Sequence, residues 1–357
     1  MIIKKYIVTL LALIGITVFG FSSGAKDTAS QNIALFIPGT LSGNPVYEML
    51  NEGVQKAVNE YNSTKQKKVS LSVLEAGANQ AEWGKKLTAL AAQQKYDVII
   101  SSNPSMPDFA KPILQNFPNQ KFIFLDAYEQ GNPNIATIRY NQREQGYLAG
   151  YAAGLITTAS NLKNKNGTPA LEFSNSSLKI ALIAAQEYPV MNNIILPAFT
   201  EGAKAVNPNI TVEFRIIGNW YDAAKGAEIA KSLYDSGVDV ILPIAGGAAQ
   251  GILVAAKQYG FYLSWFDDNG FSKAPGYVIS SSVMDQKKMA YEQTMLFLEN
   301  KTLFGSAQTV GIPEGYVYLI LDDPIFLKTV PESIRLKMVS VYNDIQSGKL
   351  VLTPQAF

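Results

Sequence analysis

The 357-residue chain contains neither Cys nor His. Thiolate and imidazole therefore drop out of every chemical scheme: there is no Cys nucleophile, no His general base and no Cys/His zinc site. A Ser-Lys pair or a carboxylate pair remains, and the acids that stand out are Asp267 and Asp268 in the run Trp265-Phe266-Asp267-Asp268-Asn269. A carboxylate accepts shorter, stronger hydrogen bonds than a neutral group, so these acids suit vicinal hydroxyls such as those of ribose or ribitol. The same pair invites a metal or hydrolytic reading, which would need a second acid-rich loop or a His that the chain does not supply.

Large flat side chains gather in nearby loops: Tyr188 in Gln186-Glu187-Tyr188, Trp220 and Tyr221 in Gly218-Asn219-Trp220-Tyr221-Asp222, and Trp265 and Phe266 beside the acids. Aromatics at strand ends often lid a core, yet a planar ring held between them gains about 0.5 to 1.5 kcal/mol from offset stacking beyond the area it buries. Gly246 and Gly247, with Gln250 shortly after, lack the Lys and spacing of a phosphate loop and the Gly pattern of a dinucleotide site. They suit close backbone approach to a neutral ligand. Nearer the N-terminus, Pro38 to Tyr47 brings Ser42, Asn44 and Tyr47 to the opening of a helix, as ligand groups or as a plain N-cap turn. Asn103 in Ser101-Ser102-Asn103-Pro104-Ser105 and Asp126 in Asp126-Ala127-Tyr128 are further candidates; both stretches also read as turns.

These loops follow short apolar runs that alternate with segments of helical period. Runs 33–37, 69–74, 97–101 and 121–125 read as buried parallel strands, separated by helices near 46–61, 80–93 and 107–116. A long helix over 142–158 and a polar loop over 160–177 lead to a second unit. Its strands are 179–184, 211–217, 239–243 and 261–266, with helices near 190–206, 222–236 and 248–259. The units repeat one another: Ile33-Ala34-Leu35 recurs as Ile180-Ala181-Leu182, Glu52-Gly53 as Glu201-Gly202, and Asp97-Val98-Ile99 as Asp239-Val240-Ile241. The expected fold is α/β, with two doubly wound parallel-sheet lobes and a cleft facing the carboxyl ends of both sheets. From Tyr277 onward a strand over 277–283, a helix over 286–300, a strand over 316–321 and a helix over 332–347 must cross back between the lobes, giving a multi-crossing hinge. Lobe 1 is then 31–141 plus about 286–310, and lobe 2 is 142–283 plus about 311–350.

Thirty Lys and Arg against 29 Asp and Glu leave a net charge of +1 with no basic stripe, which argues against a nucleic-acid partner. Lys4 and Lys5, an apolar run over 6–21 and Ser22-Ser23-Gly24-Ala25 read as a signal peptide over residues 1–25, or as an N-terminal membrane anchor. Phe21 occupies the position of a lipobox Cys, and without that sulfur no acyl chain can attach there. Export would leave the protein in the periplasm or on the outer face of the cytoplasmic membrane.

The runs Glu144 to Gly150, Glu201 to Pro208, Ala224-Lys225-Gly226, Asp239-Val240-Ile241 with Ala245-Gly246-Gly247, and Ala274 to Val278 resemble, in order and spacing, the basic membrane protein family, which includes purine nucleoside receptor lipoproteins. The resemblance covers nearly all of the chain beyond residue 25. It implies a type I periplasmic-binding fold, a non-catalytic solute receptor, an ABC permease and ATPase as partners, and a nucleoside-like ligand between the lobes with no cofactor. A sensory receptor of the same fold is the alternative. By position Trp220 is similar to the family's ring-stacking aromatic, Asn44 to the Asn of its first ligand loop, and Asp267, or Asp268, to the acid that holds ribose hydroxyls. The first loop departs from the pattern: Thr40-Leu41-Ser42-Gly43-Asn44 lacks the purine-reading acid and has Gly43 where a bulky Phe is usual. In this it looks more like the riboflavin-binding branch, in which Trp220, Tyr47 and Tyr188 would clasp an isoalloxazine ring. A purine nucleoside remains the competing ligand.

Overall fold

In the computed structural model, which describes residues 31–65 and 68–354, the chain winds two six-stranded sheets in succession. The signal peptide expected over residues 1–25, with Phe21 in it, lies outside the described residues. The first winding comprises β1 (Gln31–Ile37), α1 (Pro45–Thr64), β2 (Val69–Glu75), α2 (Trp83–Ala91), β3 (Val98–Ser102), α3 (Met106–Asn116), β4 (Lys121–Leu125) and β5 (Ile135–Tyr140). The second comprises α4 (Gln142–Thr158), β6 (Lys179–Ala184), α5 (Leu196–Val206), β7 (Thr211–Ile216), α6 (Ala223–Asp235), β8 (Val238–Ile244), α7 (Ala249–Tyr259), β9 (Tyr262–Asp267) and β10 (Val278–Met284). After these come α8 (Gln286–Leu298), β11 (Ala307–Val310), β12 (Val317–Leu319), α9 (Pro324–Thr329) and α10 (Glu332–Gln346).

The strand orders are β11-β5-β4-β3-β1-β2 and β12-β10-β9-β8-β6-β7. Taken position by position, β1 answers to β6, β3 to β8, β4 to β9 and β5 to β10, so the internal repeat of the sequence is a repeat of architecture. All pairings are parallel except that of β12 with β10. Ile33 to Ile37 are each at most 1% exposed, as expected of a strand covered by helices on both faces.

Two strands of the first sheet escape the sequence pattern. In β5, Thr137 and Arg139 alternate with apolar residues after an Asn-Pro-Asn turn, and β11 is a short edge of Ala307-Gln308-Thr309-Val310. Polar groups of these strands bond inside the fold: Arg139 Nε donates to Thr309 Oγ1 at 2.9 Å, and Thr137 Oγ1 accepts from the Glu129 amide at 3.0 Å.

Between the sheets the chain crosses over at Tyr140–Gln142, Met284–Gln286 and Val310–Val317. The crossings are tied together: the Asn141 amide donates to Val310 O at 2.7 Å, the Asp285 amide to Tyr316 O at 2.8 Å, and the Ile312 amide to Glu144 Oε2 at 2.7 Å. Past the first crossing, α4 packs on α5 and against β9 and β10; past the second, α8 packs on α1 of the other lobe. Close approach of α4 and α5 depends on glycine: a Cβ at Gly150 would stand 1.9 Å from Phe199 O, and one at Gly202 would stand 2.0 Å from Tyr147 O.

Candidate functional site

Equivalent strands deliver equivalent acids. Asp126 directly follows β4 and Asp267 ends β9, the third strand in each order, and both have left-handed backbone, with φ of 50° and 74°. Few residues other than Gly adopt that region, and its clustering at ligand sites is a known use of local strain. The two acids lie close enough across the lobes for the charge of Asp267 to raise the Asp126 carboxyl. Burial pushes the Asp126 carboxyl up to about 8, the charge of Asp267 pushes the same way, and Arg139 opposes both. Burial also raises Asp267 to about 7, against the lowering effect of a hydrogen bond from Gln145 and with the charge of Asp268 adding to the rise.

Both acids receive amide hydrogens from the first turn of one helix. Gln145 Nε2 donates to Asp267 Oδ1 at 3.1 Å and to Ser282 O at 3.0 Å, and Gln142 Nε2 reaches Asp126 Oδ1 at 3.4 Å. Residues three apart on a helix share a face, so α4 presents both amides to the cleft side of the hinge. Nearby, Tyr140 Oη donates to Gln286 Oε1 at 2.6 Å, and Gln286 Nε2 donates to Ser102 Oγ.

Aromatic groups surround the acids. Tyr47, on α1 and nearly buried, has its phenol raised by burial while a hydrogen bond with Asn103 opposes the shift; Asp126 and, from the other lobe, Tyr221 face it as well. The Tyr188 phenol is raised by burial, then by the charges of Asp267 and Asp126. Its ring lies 6.3 Å from that of Trp220 at 40°. Trp220 is fixed by a 3.0 Å bond from Nε1 to Gln186 Oε1, and its indole backs on Gly246, where a Cβ would stand 3.2 Å from Trp220 Cε3 and the backbone is left-handed at φ 54°. Gly247 lies against Trp220 O, and Tyr221 is 54% exposed. The structure thus gathers Tyr47, Asn103 and Asp126 from one lobe with Tyr188, Trp220, Tyr221, Gly246, Gly247 and Asp267 from the other.

Other candidates stand differently. Asp268 is turned into its own lobe, where it pairs with Lys273 Nζ at 2.9 Å and accepts from Trp265 Nε1; the left-handed backbone at Asp267 separates the two directions. The charge of Asp268 still reaches Asp267, but the hydrogen bonds of Asp268 go to Lys273 and Trp265. Asn44 Oδ1 accepts from the Tyr47 amide at 3.2 Å, the N-cap role that its sequence position also allowed. Ser42 and Gln250 are exposed. Sequence reasoning passed over Gln142, Gln145, Tyr140, Gln286 and Arg139. The one signal was the run Glu144 to Gly150, singled out for resemblance alone. Among the described residues no group of three or more acids could hold a metal ion, and no helix is long and apolar enough to cross a membrane.

Comparison with known proteins bears on the fold and the family. A solute-binding protein of an ABC transporter system from Aeropyrum pernix K1 superposes with a TM-score of 0.72 at 17% identity, covering 91% of this chain and 94% of that one. The glucose-galactose binding protein GanP of Geobacillus stearothermophilus gives 0.60 at 16% identity over 83% and 99%. These likenesses establish the two-lobed periplasmic-binding fold. In sequence, the chain is 28% identical over 181 residues to the CD4+ T-cell-stimulating antigen of Listeria monocytogenes, covering 51% of this chain and 45% of that protein. It is 29% identical over 167 residues to the ABC transporter nucleoside-binding protein BmpA of Lactococcus lactis, covering 47% and 42%. The matched part is thus less than half the length of each of these two relatives. Basic membrane protein A of Borreliella burgdorferi matches at 24% over 318 residues, covering 87% and 86%. With the Bmp family model, described as ABC transporter substrate-binding protein PnrA-like, matching residues 30–350, the chain belongs to the Bmp family.

Proposed function

We propose that this chain is an extracytoplasmic, non-catalytic solute-binding subunit of an ABC importer that closes its two lobes on riboflavin. Family membership supports the solute-binding role and the permease and ATPase partners. The observation that carries the ligand reading is the opposition of Asp126 and Asp267 across an aromatic-lined cleft. Two carboxyls on opposite sides, each half-buried, call for a ligand that donates in both directions. A ribityl chain carries hydroxyls along its whole length and does so more readily than a compact ribose ring. Trp220, Tyr188 and Tyr47 would flank the isoalloxazine, with stacking worth about 0.5 to 1.5 kcal/mol per good ring contact.

The first loop supports a neutral, wide slot. Its nearest acids, Glu48 and Glu75, accept from the loop's own Gly43 and Leu41 amides at 3.0 and 2.8 Å, and a Cβ at Gly43 would meet nothing within 4 Å. A purine nucleoside is the second reading, favoured by the relative named as nucleoside-binding. Titration of protein into riboflavin decides between them: the flavin reading expects flavin fluorescence quenched at micromolar protein, with adenosine and guanosine unable to reverse it. Flavin fluorescence unaltered by protein, with heat of binding for adenosine or guanosine in calorimetry, transfers the assignment to the second reading.

A further inference from the structure

We infer that Gln145 is a positioning residue that aims the Asp267 carboxylate at the ligand and joins that acid to the hinge. The inference rests on the reading that Asp267 accepts ligand hydroxyls. Gln145 is fully buried inside the Glu144 to Gly150 run. Its amide nitrogen bridges two neighbouring strands, donating to Asp267 Oδ1 at the end of β9 and to Ser282 O in β10, just before the Met284–Gln286 crossing. Its neighbour Glu144 accepts from Ile312 on the third crossing at 2.7 Å. Further along the same run Gly150 presses on Phe199 O, so the helix that carries these groups cannot slide on α5.

Asp267 needs such a support. Its backbone is left-handed, so strand geometry does not aim its side chain. The acids around it favour its neutral form, Asp268 beside it and Asp126 opposite; the phenols of Tyr140 and Tyr188, whose own ionisation both acids oppose, stay uncharged, and Arg139 is the cation beside Asp126. The Gln145 amide is the group that favours the charged, accepting form. With one oxygen held by that amide, the other stays available to hydroxyls. A purely structural Gln145, serving only Ser282 O, would leave Asp267 indifferent to its loss.

The test uses the full chain with 13C-labelled Asp. In Gln145→Met, which keeps the side-chain length and removes the donor, the carboxyl titration midpoint of Asp267 should rise by about half a unit or more, and riboflavin should bind roughly tenfold more weakly at pH 7.5. In an Asp267→Ala background the same change should weaken riboflavin binding less than about twofold. An unmoved midpoint, or an equal loss of affinity in the Asp267→Ala background, overturns the inference. If Gln145→Met does not fold, the wild-type protein still decides: the Gln145 side-chain amide protons should shift with the same midpoint as Asp267, and no response overturns it. If wild-type protein binds neither riboflavin nor adenosine, the proposed function fails while the carboxyl titration still judges Gln145.

Discussion

Replacing Asp126 by Asn tests the electrostatics of the cleft directly. A folded carboxyl held up to about 8 keeps its proton at pH values where the unfolded chain, with an ordinary Asp near 3.9, has lost it. Between about pH 4 and pH 8 the native state therefore binds more protons than the unfolded state, and stability falls as pH rises, by about 1.36 kcal/mol per unit for this one group. From pH 5 to pH 7 that is about 3 kcal/mol. Opening of the lobes rehydrates the acid and sets a ceiling on the penalty, so a realised difference of about 1 to 3 kcal/mol is expected. Asp126→Asn removes the titration while keeping the size of the side chain and an oxygen for Gln142. Melting of ligand-free protein followed by circular dichroism at pH 5, 6, 7 and 8 should show the variant gaining on the wild type as pH rises, reaching about 2 to 6 °C at pH 8. The comparison is with the wild type at each pH because carboxylates with lowered values, such as Asp323, act in the opposite sense. A gap that stays constant, or closes toward pH 8, would refute the claim that Asp126 is buried at the cost of its charge.

Two further changes probe the ring site and the helix contact beneath the hinge. Trp220→Ala should weaken riboflavin binding at least tenfold, about 1.4 kcal/mol, with an unchanged melting curve in the absence of ligand; unaltered affinity in the fluorescence titration would remove Trp220 from the site. Gly150→Ala drives a methyl toward Phe199 O and should destabilise by about 2 to 4 kcal/mol in urea unfolding, and a midpoint equal to wild type would show that α4 and α5 can separate freely.

The fold is legible in sequence wherever burial is two-sided. Ile33 to Ile37 is an unbroken apolar run and Val238 to Ile244 carries one charged residue, Asp239, because helices cover both faces of their sheets, and the repeat of such runs forecasts two lobes. β5 and β11 are not legible by that rule, since Arg139 and Thr309 satisfy each other across an edge and leave a polar pattern that reads as a loop. At the site, Trp220 and Tyr188 follow strand ends, where ligand contacts are expected in sheets of this kind. Asp267 and Asp268, adjacent in sequence, could not be told apart, because the left-handed turn at Asp267 decides which of them meets the cleft. Gln142 and Gln145 read as ordinary helix residues; only tertiary structure shows that both amides point at acids.

The repeat also explains why the cleft is polar in the middle and aromatic to the side. Because β4 and β9 hold the same place in their sheets, the acids at their ends hold equivalent places in the two lobes. The helices that follow β5 and β10 open with Gln142 and Gln286, again an equivalent pair, but they are used differently: Gln142 reaches Asp126, whereas Gln286 engages Tyr140 and Ser102. The flanks are unequal too, with Tyr47 and Asn103 on one side and Trp220 against Gly246 on the other. A symmetric pair of acceptors flanked by unequal walls favours a ligand whose hydroxyl chain lies along the axis and whose ring leans toward one lobe. A sugar of small, even shape would leave the indole of Trp220 without a partner, which is why the ring, more than the chain, should govern what this cleft selects.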